Sequence, residues 1–269
     1  MKFHVKLCSQ VRGDQSNPAI LFLHGFLGLG EDWFDLATDL SRDHFCILPD
    51  LPGHGQSREL SGHQSSDMAA TSEAIVNLLD DLKIDRVALL GYSMGGRIAL
   101  YTAVSFSHRV KALVLESANP GIEDDKERID RAALDDLRAE QIERKGVAAF
   151  VEQWYNAPLF DSLHAKLEKL ALLKQSRLEH DPHALATALR GLSVGRQPSL
   201  WRKIIRLDIP TLVIAGAADK KYCDIANKMA ALLPRCRQIT IGDAGHNAHF
   251  EQPQEFLARL REFLHDTDA

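Results

Sequence analysis

The sequence predicts an α/β fold, a mostly parallel central sheet flanked by helices with a helical cap inserted into it. Three observations predict it. Short apolar strand-like runs alternate with helix-patterned segments; one of those runs passes through a Gly-x-Ser-x-Gly turn straight into a helix; and one long stretch of chain holds no convincing strand. The strand-like runs fall at 2–8, 19–24, 45–49, 86–91, 110–116, 210–216 and 237–241, and the helical patterns near 31–41, 66–82, 95–107, 222–233 and 252–265. Parallel neighbours need long crossovers, and helices laid over both faces of the sheet supply them. The alternation breaks at Ser117-Ala118-Asn119-Pro120-Gly121. Residues 121–205 are rich in charged, helix-favouring side chains and read as a cap over the C-terminal ends of the strands, leaving 1–120 and 206–269 as the core. A chain of 269 residues is long enough to bury the core this requires.

Taken along the chain, the first informative run is Ile20-Leu-Phe-Leu-His24-Gly25-Phe26-Leu27-Gly28, an apolar strand that ends in a tight turn. His24, and His54 in the turn-rich Asp50-Leu-Pro-Gly-His54-Gly-Gln-Ser57, read as braces for loops. The most specific run is Val87-Ala-Leu-Leu-Gly91-Tyr92-Ser93-Met94-Gly95-Gly96-Arg97. Small residues at 91 and 95 allow a sharp strand-to-helix turn that exposes the Ser93 hydroxyl at a helix N-terminus. This is the nucleophile elbow of the α/β-hydrolase fold. In that fold the partners follow in the order Ser, acid, His. The strand Thr211–Gly216 leads to Asp219, and Gln238-Ile-Thr-Ile leads to Asp243-Ala-Gly245-His246. Ser93 is therefore the expected nucleophile or base, His246 its partner and Asp219 the group that orients His246. His249 and Asp243 are the nearest competitors and sit less well relative to their strands. The backbone N–H groups of Phe26 and Met94 are the expected oxyanion-hole donors.

Composition narrows the class further. Hydrophobic residues make up 45% and charged residues 26%, as in an ordinary globular enzyme. A net charge of −5 with no basic tail argues against nucleic acid and anionic membranes as partners. Four scattered cysteines have no metal-ligand spacing; Cys8 and Cys46, in apolar runs, read as buried small hydrophobes. Without a signal-like or 18-residue apolar run, a cytoplasmic protein with no membrane insertion is expected. A monomer is expected, an oligomer being left open.

The cap carries Arg128 and Arg131 one helical turn apart, Trp154-Tyr155, Arg177, and Gly195-Arg196-Gln197-Pro198-Ser199-Leu200-Trp201. With Arg97 one turn past Ser93, several guanidinium groups can converge on one pocket, which suits a small polycarboxylate. The competing reading pairs these arginines with the cap's abundant acids.

Leu23-His-Gly-Phe-Leu-Gly28 with Asp32-Trp33, Gly91-Tyr-Ser-Met-Gly-Gly-Arg-Ile-Ala99, Trp154-Tyr with Pro-Leu-Phe160, Leu189-Arg-Gly, Gly195-x-Gln-Pro-Ser-Leu-Trp201 and Ala244-Gly-His-Asn-Ala248 recur together in a known family. Over nearly its whole length the chain resembles the 2-succinyl-6-hydroxy-2,4-cyclohexadiene-1-carboxylate synthases, lyases of menaquinone biosynthesis. The resemblance implies pyruvate elimination from 2-succinyl-5-enolpyruvyl-6-hydroxy-3-cyclohexene-1-carboxylate, with no metal and no organic cofactor. It also implies substrate contacts from Tyr92, Arg97, Trp154, an early cap arginine (Arg128, or Arg131 in an alternative register) and a later one (Arg177, with Arg196 as the alternative). A serine hydrolase of esters, or of carbon–carbon bonds in diketone acids, would need the same triad, so the cap arginines have to discriminate.

Overall fold

The computed structural model describes residues 6–57 and 67–268. Its described strands form one seven-stranded sheet, β1 (Ser9–Arg12), β2 (Ala19–Leu23), β3 (Phe45–Pro49), β4 (Val87–Tyr92), β5 (Val110–Glu116), β6 (Thr211–Gly216) and β7 (Cys236–Ile241), in the spatial order β1-β3-β2-β4-β5-β6-β7. All neighbours are parallel except β1, which pairs antiparallel with β3 from Ser9↔Pro49 to Arg12↔Cys46. The first described strand therefore lies later than the predicted 2–8 run. Residues 2–5 of that run are outside the described residues, and 6–8 lead into the strand without joining it. Cys8 is exposed, contrary to expectation, because Leu7 beside it takes the buried place; Cys46, on a central strand, is buried as expected.

Alternation along β2 sorts its side chains to two faces. Ile20 and Phe22 pack with Trp33 and with α1 (Phe34–Leu40) and the C-terminal helix Pro253–Asp268. Leu21 and Leu23 pack with α2 (Met68–Asp81), α3 (Met94–Ser105) and the helix Lys220–Leu232. The continuous apolar runs of β2 to β6 are what a sheet buried on both faces needs.

Between β5 and β6 the described chain is helical and contains no strand. It comprises α4 (Asp125–Tyr155), α5 (Asp161–His164), α6 (Leu167–Ser176), α7 (Pro182–Gly191) and α8 (Trp201–Ile204). Asp124 and Asp181 accept hydrogen bonds from first-turn amides of α4 and α7. α4 is interrupted at Gly146, whose φ of +80° glycine tolerates best. These helices bury their own cluster, including Ile142, Phe150, Tyr155, Phe160, Leu185 and Leu189, and Leu27 from the turn after β2 is inserted into it. That contact docks the segment on the C-terminal edge of the sheet. The chain ends with α9 (Lys220–Leu232), α10 (Ala248–Glu251) and α11 (Pro253–Asp268). Among the described residues no helix is long and apolar enough to cross a membrane.

Candidate active site

Because β2, β4, β6 and β7 are parallel, the segments that follow them emerge at one edge of the sheet. At the end of β4, Ser93 adopts φ 51°, ψ −108°, a strained conformation for a residue with a side chain. The strain is held from three sides. The Ser93 N–H donates to the Glu116 carbonyl at 2.8 Å. A Cβ on Gly91 would strike the Gly95 carbonyl, and one on Gly95 would strike the Leu23 carbonyl. Both glycines are thus required by close backbone approach. α3 begins at Met94, whose N–H is one of the first-turn amides with no intrahelical acceptor.

Asp219 caps α9. One carboxylate oxygen accepts the Tyr222 N–H at 3.2 Å, which leaves the other to accept from His246 Nδ1 at 2.7 Å. His246 Nε2 then lies 3.0 Å from Ser93 Oγ. With its proton held on Nδ1 by the carboxylate, the ring presents Nε2 as an acceptor to the serine hydroxyl. Both Asp219 and His246 are buried. The competitors are engaged elsewhere. His249 donates its ring Nδ1–H (2.6 Å) and backbone N–H (2.9 Å) to the buried Glu116 carboxylate and stacks on Trp33 at 4.0 Å. Asp243 forms a turn at φ 49°, with its carbonyl taken by Lys166 and Gln252. Sequence reasoning missed the Glu116–His249 pair. Its one signal was a carboxylate at the end of an otherwise apolar strand.

Ser93 opens into a cavity of about 1030 Å³ whose walls include Phe26, Met94, Arg97, Arg131, Arg138 and Trp154. Among the described residues neither the Phe26 nor the Met94 N–H has a protein acceptor. The turn carrying Phe26 is braced by histidines. Leu51 N–H donates to His24 Nε2 (2.9 Å) and Leu27 N–H to His54 Nε2 (3.2 Å), while each Nδ1 faces a backbone carbonyl. Burial lowers His24 to about 4 and His54 well below the usual histidine value, so both stay neutral and able to accept. Arg97 donates to the Gln197 side chain at 2.9 Å and to the Leu192 carbonyl at 2.8 Å. Burial lowers it to about 10, which leaves it cationic at neutral pH. Trp201 Nε1–H donates to the Gly121 carbonyl at 2.9 Å, closing the far end of the helical segment onto its start.

Three expected substrate contacts lie elsewhere. Arg128 is outside the wall of the Ser93 cavity: its backbone abuts Gly195 and its guanidinium faces Asp125 at 3.4 Å, while Arg131, three residues on, reaches the cavity. Arg177 is buried in a two-pronged ion pair with Asp32 at 2.7 and 2.8 Å, and lines a separate cavity of about 260 Å³. Tyr92 lines that second cavity too; its ring backs Gly25 and lies 5.4 Å from the His246 ring. Burial, then the nearby Glu116 carboxylate, raise its pKa well above the usual tyrosine value. Arg196, the alternative to Arg177, pairs with Asp136 at the surface. Arg138, on the cavity wall, was missed; seven residues past Arg131, it is two turns along the same helix.

The family model for the α/β hydrolase fold matches residues 18–253. A putative 2-succinyl-6-hydroxy-2,4-cyclohexadiene-1-carboxylate synthase of Bacillus subtilis is 38% identical over 254 residues, 94% of this chain and 92% of that protein. The chloroplastic protein PHYLLO of Arabidopsis thaliana is also 38% identical, over 91% of this chain, which spans only 15% of PHYLLO's length. Among solved structures, MenH from S. aureus superposes with a TM-score of 0.92 at 33% identity, covering 97% of this chain and 99% of that one.

Proposed function

The chain belongs to the α/β-hydrolase family and, within it, to the 2-succinyl-6-hydroxy-2,4-cyclohexadiene-1-carboxylate synthases, and from that premise we propose that it eliminates pyruvate from 2-succinyl-5-enolpyruvyl-6-hydroxy-3-cyclohexene-1-carboxylate. One observation carries the reading. A hydrogen-bonded Ser93–His246–Asp219 chain opens into a cavity walled by arginines, where an apolar lid would be expected over a lipase-type site. Residues 121–205 act as a cap that adds Arg131 and Arg138 to the Arg97 supplied by the core of 1–120 and 206–269.

In this mechanism the Ser93 hydroxyl gives its proton to His246 Nε2 as its oxygen takes the carbon-bound proton of the substrate. The C2–H electrons become the C2=C3 bond, the C3=C4 electrons move to C4=C5, and the C5–O bond to the enolpyruvyl group breaks, which leaves the 2,4-diene. His246 returns its proton to the leaving oxygen, so the triad is restored and enolpyruvate leaves to become pyruvate. Asp219 stabilises the transient imidazolium. The Phe26 and Met94 N–H groups stabilise negative charge growing on a substrate oxygen, and Arg97 and Arg131 hold carboxylates. Trp154 supplies an apolar wall.

The test is pyruvate release from substrate generated in situ. Wild type should release it fast, and Ser93→Ala should fall by at least about 10³-fold, since the base is gone while the binding wall stays. Release no faster than the spontaneous rate, together with brisk hydrolysis of simple esters, would make the protein a hydrolase.

A further inference from the structure

Arg138 faces the Ser93 cavity and has no role in the mechanism above. It is held by Asp135, a carboxylate with no solvent exposure at the centre of a small network. Asp135 accepts from Arg131 Nε at 3.1 and 3.0 Å, from Arg138 Nη1 at 3.0 Å and from Ser193 Oγ at 2.7 Å. Arg131, Asp135 and Arg138 lie at i−4, i and i+3 on α4, so one carboxylate catches both guanidinium groups. The Arg138 guanidinium also sits over the Trp154 ring, 5.5 Å from its centroid, which fixes its plane a second time.

Three other arginines of the helical segment spend both terminal nitrogens on an acid. Arg177 spends both terminal nitrogens on Asp32, Arg190 spends both on Glu143 and Arg196 spends both on Asp136. Asp135 instead engages only Nε of Arg131 and one terminal nitrogen of Arg138. Among the described residues no other acceptor takes their remaining N–H groups. Asp135 alone among the described residues bonds the two cations, one carboxylate for two guanidinium groups, on a wall that also carries Glu123, Asp124 and Glu127. Planar N–H edges fixed in direction and lacking a partner are the chemistry that receives a carboxylate.

We propose that Arg131 and Arg138 form one carboxylate-receiving fork, that Arg138 contacts the substrate directly, and that Asp135 is the positioning residue that sets the fork's angle. The inference rests on the lyase reading for the identity of the substrate, and on the geometry alone for the anion. The test therefore has two arms: pyruvate-release kinetics, and calorimetric titration with propane-1,2,3-tricarboxylate. Arg138→Ala should raise KM by roughly 10-fold or more while kcat changes less than about threefold, and should weaken tricarboxylate binding by a similar factor. Arg138→Lys should recover only part of the affinity, since it restores charge without the fork. Asp135→Asn should raise KM about as much as Arg138→Ala; should it unfold, the two Arg138 variants carry the test. Unchanged KM and tricarboxylate affinity in folded Arg138→Ala would overturn the proposal and leave the lyase reading standing. If wild type releases no pyruvate, the lyase reading fails, and the titration still decides: binding lost in Arg138→Ala supports the fork, whereas equal or absent binding overturns it.

Discussion

At the scale of single residues, Ser93 and Asp219 each do two jobs that substitution can separate. The conformation of Ser93, φ 51° and ψ −108°, costs on the order of 1–3 kcal/mol in a residue with a Cβ. Glycine adopts it freely, so Ser93→Gly should abolish turnover and still raise unfolding stability by about 1 kcal/mol, read from urea midpoints. An unchanged or lowered midpoint would mean that the elbow stores no strain. Asp219 is both the His246 partner and the cap of α9. Asparagine caps helices as well as aspartate, yet it offers His246 no charge and permits the wrong tautomer. Asp219→Asn should therefore keep its melting temperature within about 2 °C and lose about 10³-fold or more in kcat. Ser93, Asp219 and His246 were legible in the sequence because each follows a strand by a short, recognisable turn. Arg177 was not: its partner Asp32 lies 145 residues away, and no local pattern says which arginine a distant acid will claim. Arg138 was missed for the complementary reason, since its value depends on the helix face that meets the cavity.

Elements were more legible than contacts, because the apolar run of a doubly buried strand and the spacing of a helix are local properties. The exception is instructive. The first described strand, Ser9–Arg12, lies outside the predicted 2–8 run because an edge strand, half exposed and paired on one side only, carries a weak apolar signal. In the centre of the sheet the fit leaves little slack. Gly95 on α3 lies so close to β2 that a Cβ would meet the carbonyls of Leu23 and His24, and backbone cannot rotate aside as a side chain can. Gly95→Ala must push α3 off the sheet, and the turn carrying Ser93 moves with it. The expected result is a loss of about 1–3 kcal/mol in stability, with turnover falling far more than that loss of folded protein explains. A variant of normal stability and normal kcat would show that the elbow tolerates displacement.

For the whole molecule, the joint between core and helical segment is also where acid should act first. His24 and His54 brace the turns after β2 and β3, and His180, from the helical segment, donates its Nε2–H to the Leu27 carbonyl at 2.8 Å. Their rings meet in sequence, His24 to His54 at 5.0 Å and His54 to His180 at 5.4 Å. Burial lowers all three pKa values, His24 to about 4. The unfolded chain, with histidines near 6.5, then binds more protons than the folded one between these values. Stability from this cluster is full above about pH 7 and falls as pH drops, by about 1.4 kcal/mol per pH unit for each histidine until its folded pKa is reached. Urea midpoints should accordingly be flat above pH 7 and decline steeply from pH 6.5 to 5. His54→Gln, whose amide oxygen can still accept the Leu27 N–H, should show a shallower decline by about one histidine's share. Equal slopes in the two proteins would place the acid-sensitive groups elsewhere. The turn under strain in that window is the one that carries Phe26 on the wall of the Ser93 cavity, so turnover should fail on acidification before global unfolding does.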